Sequence, residues 1–583
     1  MKKILYSLFA FSLVLVIATS CKDSDPVVND KGTVVSATYH ASYKTFTVTF
    51  SDGQSETVNA IINNNIAPPT ASATLDDGTT IYVNNANQSG KATIGDIPDR
   101  DISTVTQFVY DGMSLYYLWS DEVVNKKPKK SDNNPEEYFY GILNSTDTKH
   151  GWSWITDDVN SLMSGFEGES TDAFGFQPMA LYYEENSNRI IGFVRYVFPN
   201  TPADKAGLKR GDVISHANGT LLTVNNYTIL YGANSTTTFT VLDQNFENPR
   251  NVEITPAKIN TDPVLYSNIY KGEGFNGRKV GYLFYTNFYE AYNESLYNVF
   301  SEFKSEGITD LVLDLRYNPG GGISAATYLA SLIAPVDAVQ KKSVFTVMSY
   351  NDYVNDAYDQ QKVDRKDYLG AYNTTKYSNP IQANVNSGDL KLYIITTGSS
   401  ASASELLTFC LMPYMEVEQI GEKTSGKYTA SWTIHPYNNY SGRVQQIYIE
   451  SSLSNVEKRD LANWAMQPIV GLYTDKDNKD FIATNGLVPN HPIDAAFVNE
   501  RNTSTWKPIG DTDDYLFAKA LSLITGSPYT TRQTRSTLGL RLQDAELYSP
   551  IESVLREGVI IDNPILLPPS SYKNSSVLPL DNK

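Results

Sequence analysis

The chain has 583 residues, 41% of them hydrophobic, enough to bury large cores and to fill roughly three to five domains. A net charge of −18 argues against nucleic acid as a partner and otherwise serves solubility. With only two cysteines, Cys21 and Cys410, no disulfide framework organises the fold.

Met1-Lys-Lys followed by the apolar run 4–18 has the length and flanks of a signal peptide, being too short to span a membrane. It ends in Ile17-Ala-Thr-Ser-Cys21, which resembles a bacterial lipobox with the usual leucine displaced. The resemblance implies removal of residues 1–20, lipidation of Cys21 and attachment to a membrane through that anchor alone. Lys22, Asp23 and Asp25 resemble the surface-export signal of some diderm bacteria, so the expected location is the outer membrane, facing the periplasm or the cell surface. Residues 21–32 read as a tether. Over 33–95, alternating runs with Asp-Gly turns predict a small all-β domain with two related hairpins, Thr45-Phe-Thr-Val-Thr-Phe-Ser-Asp-Gly53 and Ala71-Ser-Ala-Thr-Leu-Asp-Asp-Gly78.

Residues 96–167 turn helical: Val105, Phe108, Val109, Met113, Tyr116 and Tyr117 recur at helical spacing, and 136–143 and 157–162 predict short helices. Residues 168–260 are β-rich. There Thr201-Pro-Ala203, Ala206-Gly-Leu208 and Gly211-Asp212 together resemble a bacterial PDZ domain. Such a domain binds extended peptide ends by adding a strand to an open sheet edge. The resemblance implies that Phe174-Gly175-Phe176-Gln177 is the loop receiving a carboxylate; a PDZ-like fold can also serve as a packed lid or spacer.

From 261 to 505 strands and helices alternate. Leu296, Val299, Phe300 and Phe303 mark a helix closed by Gly307. Leu311-Val-Leu-Asp-Leu-Arg316 reads as a buried strand running into the glycine turn Tyr317-Asn-Pro-Gly-Gly-Gly322 and then a helix, which leaves free N–H groups at the strand's end. A tyrosine- and asparagine-rich insertion, 343–387, shows little pattern. The apolar run Leu392-Tyr-Ile-Ile-Thr396 leads to Gly398-Ser-Ser-Ala-Ser402-Ala-Ser-Glu405 and a helix-patterned run containing Cys410, read as a core thiol. Such a turn would hold the Ser402 hydroxyl near a helix N-terminus, although Ser/Ala/Gly clusters also make ordinary loops and N-caps. A strand at 415–420 precedes Gly421-Glu-Lys-Thr-Ser-Gly-Lys427, and Gly486-Leu-Val-Pro-Asn490 reads as the core's last loop. Residues 506–583 hold one clear helix (515–524) and a Pro-rich tail.

Gly421-x4-Gly426-Lys427 nearly spells a phosphate loop, but Tyr428 stands where a magnesium-holding Ser or Thr is required. The order Asp-Leu-Arg-x-Asn-Pro-Gly-Gly (314–321), Ser-Ala-Ser-Ala-Ser-Glu (400–405) and Gly-Glu-x-Thr-x-Gly-Lys (421–427) behind a PDZ-like segment resembles the carboxyl-terminal processing proteases, the S41 serine peptidases. The resemblance covers about 103–497 and implies Ser402 as nucleophile and Lys427 as base. Lysine activates a serine only when its neutral form is favoured by burial or nearby positive charge. The oxyanion would be held by N–H groups of Ala403 and of Gly320 or Gly321. The family commonly carries glutamine four residues after the lysine. Here Ser431 stands there, and Ser431 or Thr429, on the lysine's face of a strand, would orient the amine. His40, His150, His216, His435 and His491 sit in no Ser/His motif, and no spacing suggests a metal or other cofactor.

The expected architecture is multidomain α/β: a crotonase/ClpP-like core, a PDZ-like β domain, a helical segment before it and a small N-terminal all-β domain. The expected function is a lipid-anchored serine endopeptidase acting on unstructured or C-terminal polypeptide segments, alternatively a non-catalytic peptide-binding lipoprotein on the same fold. Acyl-CoA chemistry would leave the PDZ-like segment without a role.

Overall fold

Alternation of polar and apolar residues, then uninterrupted apolar runs, sorts the chain into two units, 32–95 and 102 onward. The computed structural model describes residues 32–63, 69–95, 102–183, 187–493, 506–529, 546–547 and 559–569, so the expected signal peptide, tether and Cys21 lie outside it. In the first unit two four-stranded antiparallel sheets contain both expected hairpins. Strand Thr45–Phe50 turns Phe46, Val48 and Phe50 inward at period two.

The second unit is centred on a six-stranded sheet in the order Val264–Tyr270, Val280–Tyr285, Asp310–Asp314, Lys391–Thr396, Val417–Gly421, His491–Pro492. The last five run parallel. Val280–Tyr285 and Asp310–Asp314 are buried at every position, as strands covered on both faces must be. Helices Asn293–Glu306, Ile323–Ile333 and Ala403–Leu411 contribute to the core on one side. Tyr515–Thr525 packs in the other, with Tyr196 and Phe198. That helix is pinned by Asp514, which caps it and pairs with fully buried Arg316 (2.7 Å), itself paired to Asp314 (2.7 Å).

A second sheet runs Lys366–Tyr368, Val344–Tyr350, Ile469–Thr474, Thr429–Ser431, Val559–Ile560. Its last strand comes from the Pro-rich tail, where the sequence shows little pattern. Residues 343–387 also depart from expectation, forming strand Val344–Tyr350 and helix Asp352–Gln361. Their polar look hides burial. Asn351 caps the helix and donates to the carbonyls of Leu115 and Tyr117, while Tyr350 and Tyr358 pack on Trp432.

Residues 174–254 form an antiparallel sheet, Arg250–Ile254, Thr237–Leu242, Val213–Ala217, Ile190–Val197, Phe176–Tyr182, around Phe174, Phe176, Ile214 and Phe239. Glu546–Leu547 adds to its outer edge, pairing Ala180 with Leu547 and Leu181 with Glu546. Among the described residues no helix is long and apolar enough to cross a membrane.

Candidate active site

Two strand ends of the parallel sheet bring the site together. After Lys391–Thr396 the chain is tied to the glycine turn: Ser400 Oγ donates to Leu315 O (2.7 Å), Ala401 N–H to Asn318 O (3.1 Å) and Ser404 Oγ to Asn318 O (3.0 Å). Between them Ser402 takes φ +62°, ψ −117° at the start of helix Ala403–Leu411. A side-chain-bearing residue pays about 1–3 kcal/mol for such a conformation, and persists in it only where surrounding bonds over-determine it. Ser402 is buried, and its Oγ makes no hydrogen bond among the described residues.

The glycine turn closes on this hydroxyl. A Cβ on Gly320 (φ +111°) would fall 2.6 Å from Ser402 Oγ and 2.8 Å from Ala403 N, so glycine alone permits the approach. Gly320 N–H donates to Asn318 Oδ1 (2.9 Å). Gly321 lies against Phe288 O on one side and accepts Ile560 N–H (3.0 Å) on the other.

Lys427 is buried in the loop before Thr429–Ser431. Glu405 joins that loop to Ser402. Its carboxylate accepts the N–H groups of Ser402 (2.9 Å), Gly426 (2.7 Å) and Lys427 (2.8 Å), and the Thr424 hydroxyl. Burial pushes the Glu405 pKa up, and the hydrogen bonds work against that rise. Tyr473 Oη adds a second tie, donating to Lys427 O (3.1 Å) and Ser402 O (3.4 Å). Ser431 Oγ accepts from Gln467 Nε2 (3.0 Å), while Thr429 Oγ1 is buried without a partner among the described residues.

The sheet domain touches the site through arginines. Arg195 donates to Ser399 Oγ (3.4 Å) and lies 5.0 Å over the Tyr317 ring, whose hydroxyl accepts from Arg210 (2.7 Å). In the expected carboxylate loop, Phe174 and Phe176 are core side chains, and Gly175 (φ +94°) packs on Thr201 with its carbonyl accepting Phe198 N–H (2.9 Å). Gln177 lies on the strand that begins at Phe176.

Other expected and candidate groups fall elsewhere. His435 accepts the N–H groups of Tyr437 and Asn438, and burial holds its pKa down at about 4. His491 pairs with Glu418, and His150 stacks on Trp152. Cys410 is a free, fully buried thiol whose pKa burial pushes up. Among the described residues no cluster of His, Cys, Asp or Glu is arranged to hold a metal. Three positioning groups escaped the sequence reading. Glu405 had a signal, since a first-turn carboxylate three residues after an N-cap reaches back to free N–H groups. So had Asn318, an Asn two residues before the N–H it accepts. Tyr473 had none.

Residues 279–491 match the model of peptidase family S41 and 104–154 that of the peptidase S41 N-terminal domain. A carboxyl-terminal-processing protease of Picosynechococcus is 26% identical over 237 residues, covering 39% of this chain and 49% of that protein. A Staphylococcus aureus protein named Probable CtpA-like serine protease is 25% identical over 337 residues, 53% of this chain and 60% of that one. The chain thus spans about half the length of these curated relatives. A Bacteroides fragilis crystal structure named for the S41 proteases superposes with a TM-score of 0.53 at 25% identity, over 74% of this chain and 98% of that one.

Proposed function

Taking residues 279–491 as the peptidase family S41 domain that they match, we propose that this protein is a serine endopeptidase working through Ser402 and Lys427. The observation that carries the reading is the meeting of three parts at one point. The Gly320 backbone abuts both Ser402 Oγ and the Ala403 N–H, and Glu405 holds the Ser402 and Lys427 backbones on one carboxylate.

In this reading the neutral Lys427 amine takes the Ser402 proton as Oγ attacks the scissile carbonyl. The oxyanion forms between Ala403 N–H and Gly321 N–H, because Asn318 already holds the Gly320 N–H. Collapse passes the proton to the leaving amine, and water then hydrolyses the acyl-enzyme. With Ser431 engaged by Gln467, Thr429 is the hydroxyl left to orient the lysine amine. The PDZ-like sheet recruits extended polypeptide along the edge of Phe176–Tyr182, and Arg195 links that sheet to the Ser399 loop as a gate. Lipidated Cys21 anchors the enzyme at the bacterial outer membrane, on its periplasmic or outer face.

One observation favours the binding reading: Ser402 is fully buried, although burial of Lys427 suits a base. Digestion of a pool of unfolded proteins by the chain from Lys22 onward, beside Ser402→Ala and Lys427→Ala, separates the two. New peptide termini found by mass spectrometry only with the parent support the Ser–Lys protease. Cleavage that survives Lys427→Ala rejects lysine as base. Retention of bound peptide without cleavage supports the binding protein.

A further inference from the structure

Immediately after the glycine turn, helix Ile323–Ile333 forms one wall of a cavity of about 420 Å³. The opposite wall is the 343–387 insertion, and the segment 559–569 contributes Ile561, Asp562 and Ile565. The volume lies in the range of ligand pockets, roughly 300–1,000 Å³.

Acids outnumber bases in the lining: Glu290, Asp364, Asp367 and Asp562 stand against Arg365 and Lys366. Asp562 is partly satisfied by the Ser324 N–H (3.2 Å) and hydroxyl, and its carboxylate sits against Gly322. No ion pair reaches Glu290 or Asp367 among the described residues. Arg365 is committed to Asn355 (2.7 Å) and Asp359 (2.8 Å), Lys366 is exposed at the rim, and nearby Arg443 pairs with Glu167. A separate observation points the same way. Asn293, another lining residue, is 1% exposed, and its Oδ1 has no hydrogen-bond partner among the described residues. A buried acceptor without a donor is costly, so this wall is short of N–H or O–H groups.

We propose that the cavity is a specificity pocket for a basic side chain, lysine or arginine, of the bound polypeptide. An ammonium or guanidinium supplies the missing donors, separates the carboxylates electrostatically and meets the rings of Tyr350 and Tyr372 that help line the cavity. A metal suits it less, since no metal-binding cluster is found among the described residues. The pocket's place fits a substrate-reading role, because its wall begins directly after Gly322, at Ile323.

The pocket is also pH-sensitive. Burial pushes Glu290 up to about 7, with the Asp562 and Glu167 charges adding to the rise and Lys376 and Arg443 opposing it. Burial and the charges of Asp562 and Asp364 likewise raise Asp367 to about 7. Asp562 is itself raised by burial, and Arg443 opposes that rise. Below neutrality Glu290 and Asp367 become neutral and the attraction fades; above it they are ionised and preference for a cation grows.

This inference rests on the polypeptide-binding reading of the site, and its test separates the two. Matched fluorescent peptides carrying lysine or norleucine at each position in turn are bound to the Ser402→Ala full chain and cleaved by the parent. At about pH 8 the best lysine peptide is expected to bind and react about tenfold better than its norleucine twin, with the gap closing near pH 6. Glu290→Gln and Asp367→Asn should each shrink the gap between the lysine peptide and its norleucine twin. Equal handling of every pair at pH 8, or a gap that survives in the double variant, overturns the pocket. Lysine preference in binding with no cleavage by the parent keeps the pocket and removes the protease. Cleavage without preference does the reverse.

Discussion

Ser402 is held by side chains: Glu405 grips its N–H, Tyr473 its carbonyl, and Asn318 the glycine turn facing it. The outer edge of Phe176–Tyr182 is met by the backbone of Glu546–Leu547 in an antiparallel ladder. The first arrangement fixes the backbone that carries one hydroxyl and tolerates few sequences. The second offers a repeating row of N–H and C=O groups that any extended chain can match. Bond-making chemistry demands the former, and recruitment of varied polypeptides the latter.

Substitutions can break that contrast. Ser402→Ala or Lys427→Ala should lower kcat/KM on a fluorogenic peptide by about 10⁴–10⁶ while leaving peptide binding intact. Gly320→Ala puts a methyl group inside van der Waals contact with Ser402 Oγ and Ala403 N at a positive φ. It should cost about 10²–10³ in kcat with KM little changed, the size of losing one oxyanion donor. Glu405→Gln keeps the shape but turns an NH₂ toward groups that donate, so urea unfolding should show a loss of about 1–3 kcal/mol. At the sheet edge, Gln177→Ala should shift KM by no more than about twofold and leave kcat alone, as for a substitution outside special contacts. A larger change there would mean that side chains, not the ladder, read the substrate.

The sequence shows its catalytic elements because their physics is local. A buried strand, a glycine turn and a helix start lie within a few residues of each other, so 310–333 and 391–411 could be placed by pattern, while Ser402 and Lys427 stand out only through the resemblance to a peptidase family. What could not be read depends on contacts between distant residues. Asn318 decides which glycine N–H stays available, and Gln467 claims the Ser431 hydroxyl, neither of which spacing can reveal. The insertion looked unpatterned because its tyrosines and asparagines are polar by composition yet buried by ring packing and capping. The carboxylates of the cavity come from three separate parts of the chain and meet only in the fold.

The strand Val559–Ile560 ties distant parts of the chain together. Ile560 N–H binds Gly321 O and Ile561 N–H binds Ser431 O, so one late segment clasps the glycine turn to the strand that follows Lys427. A cut ahead of Val559 would leave Ser402 and Lys427 in the chain yet remove the clasp between their two supports.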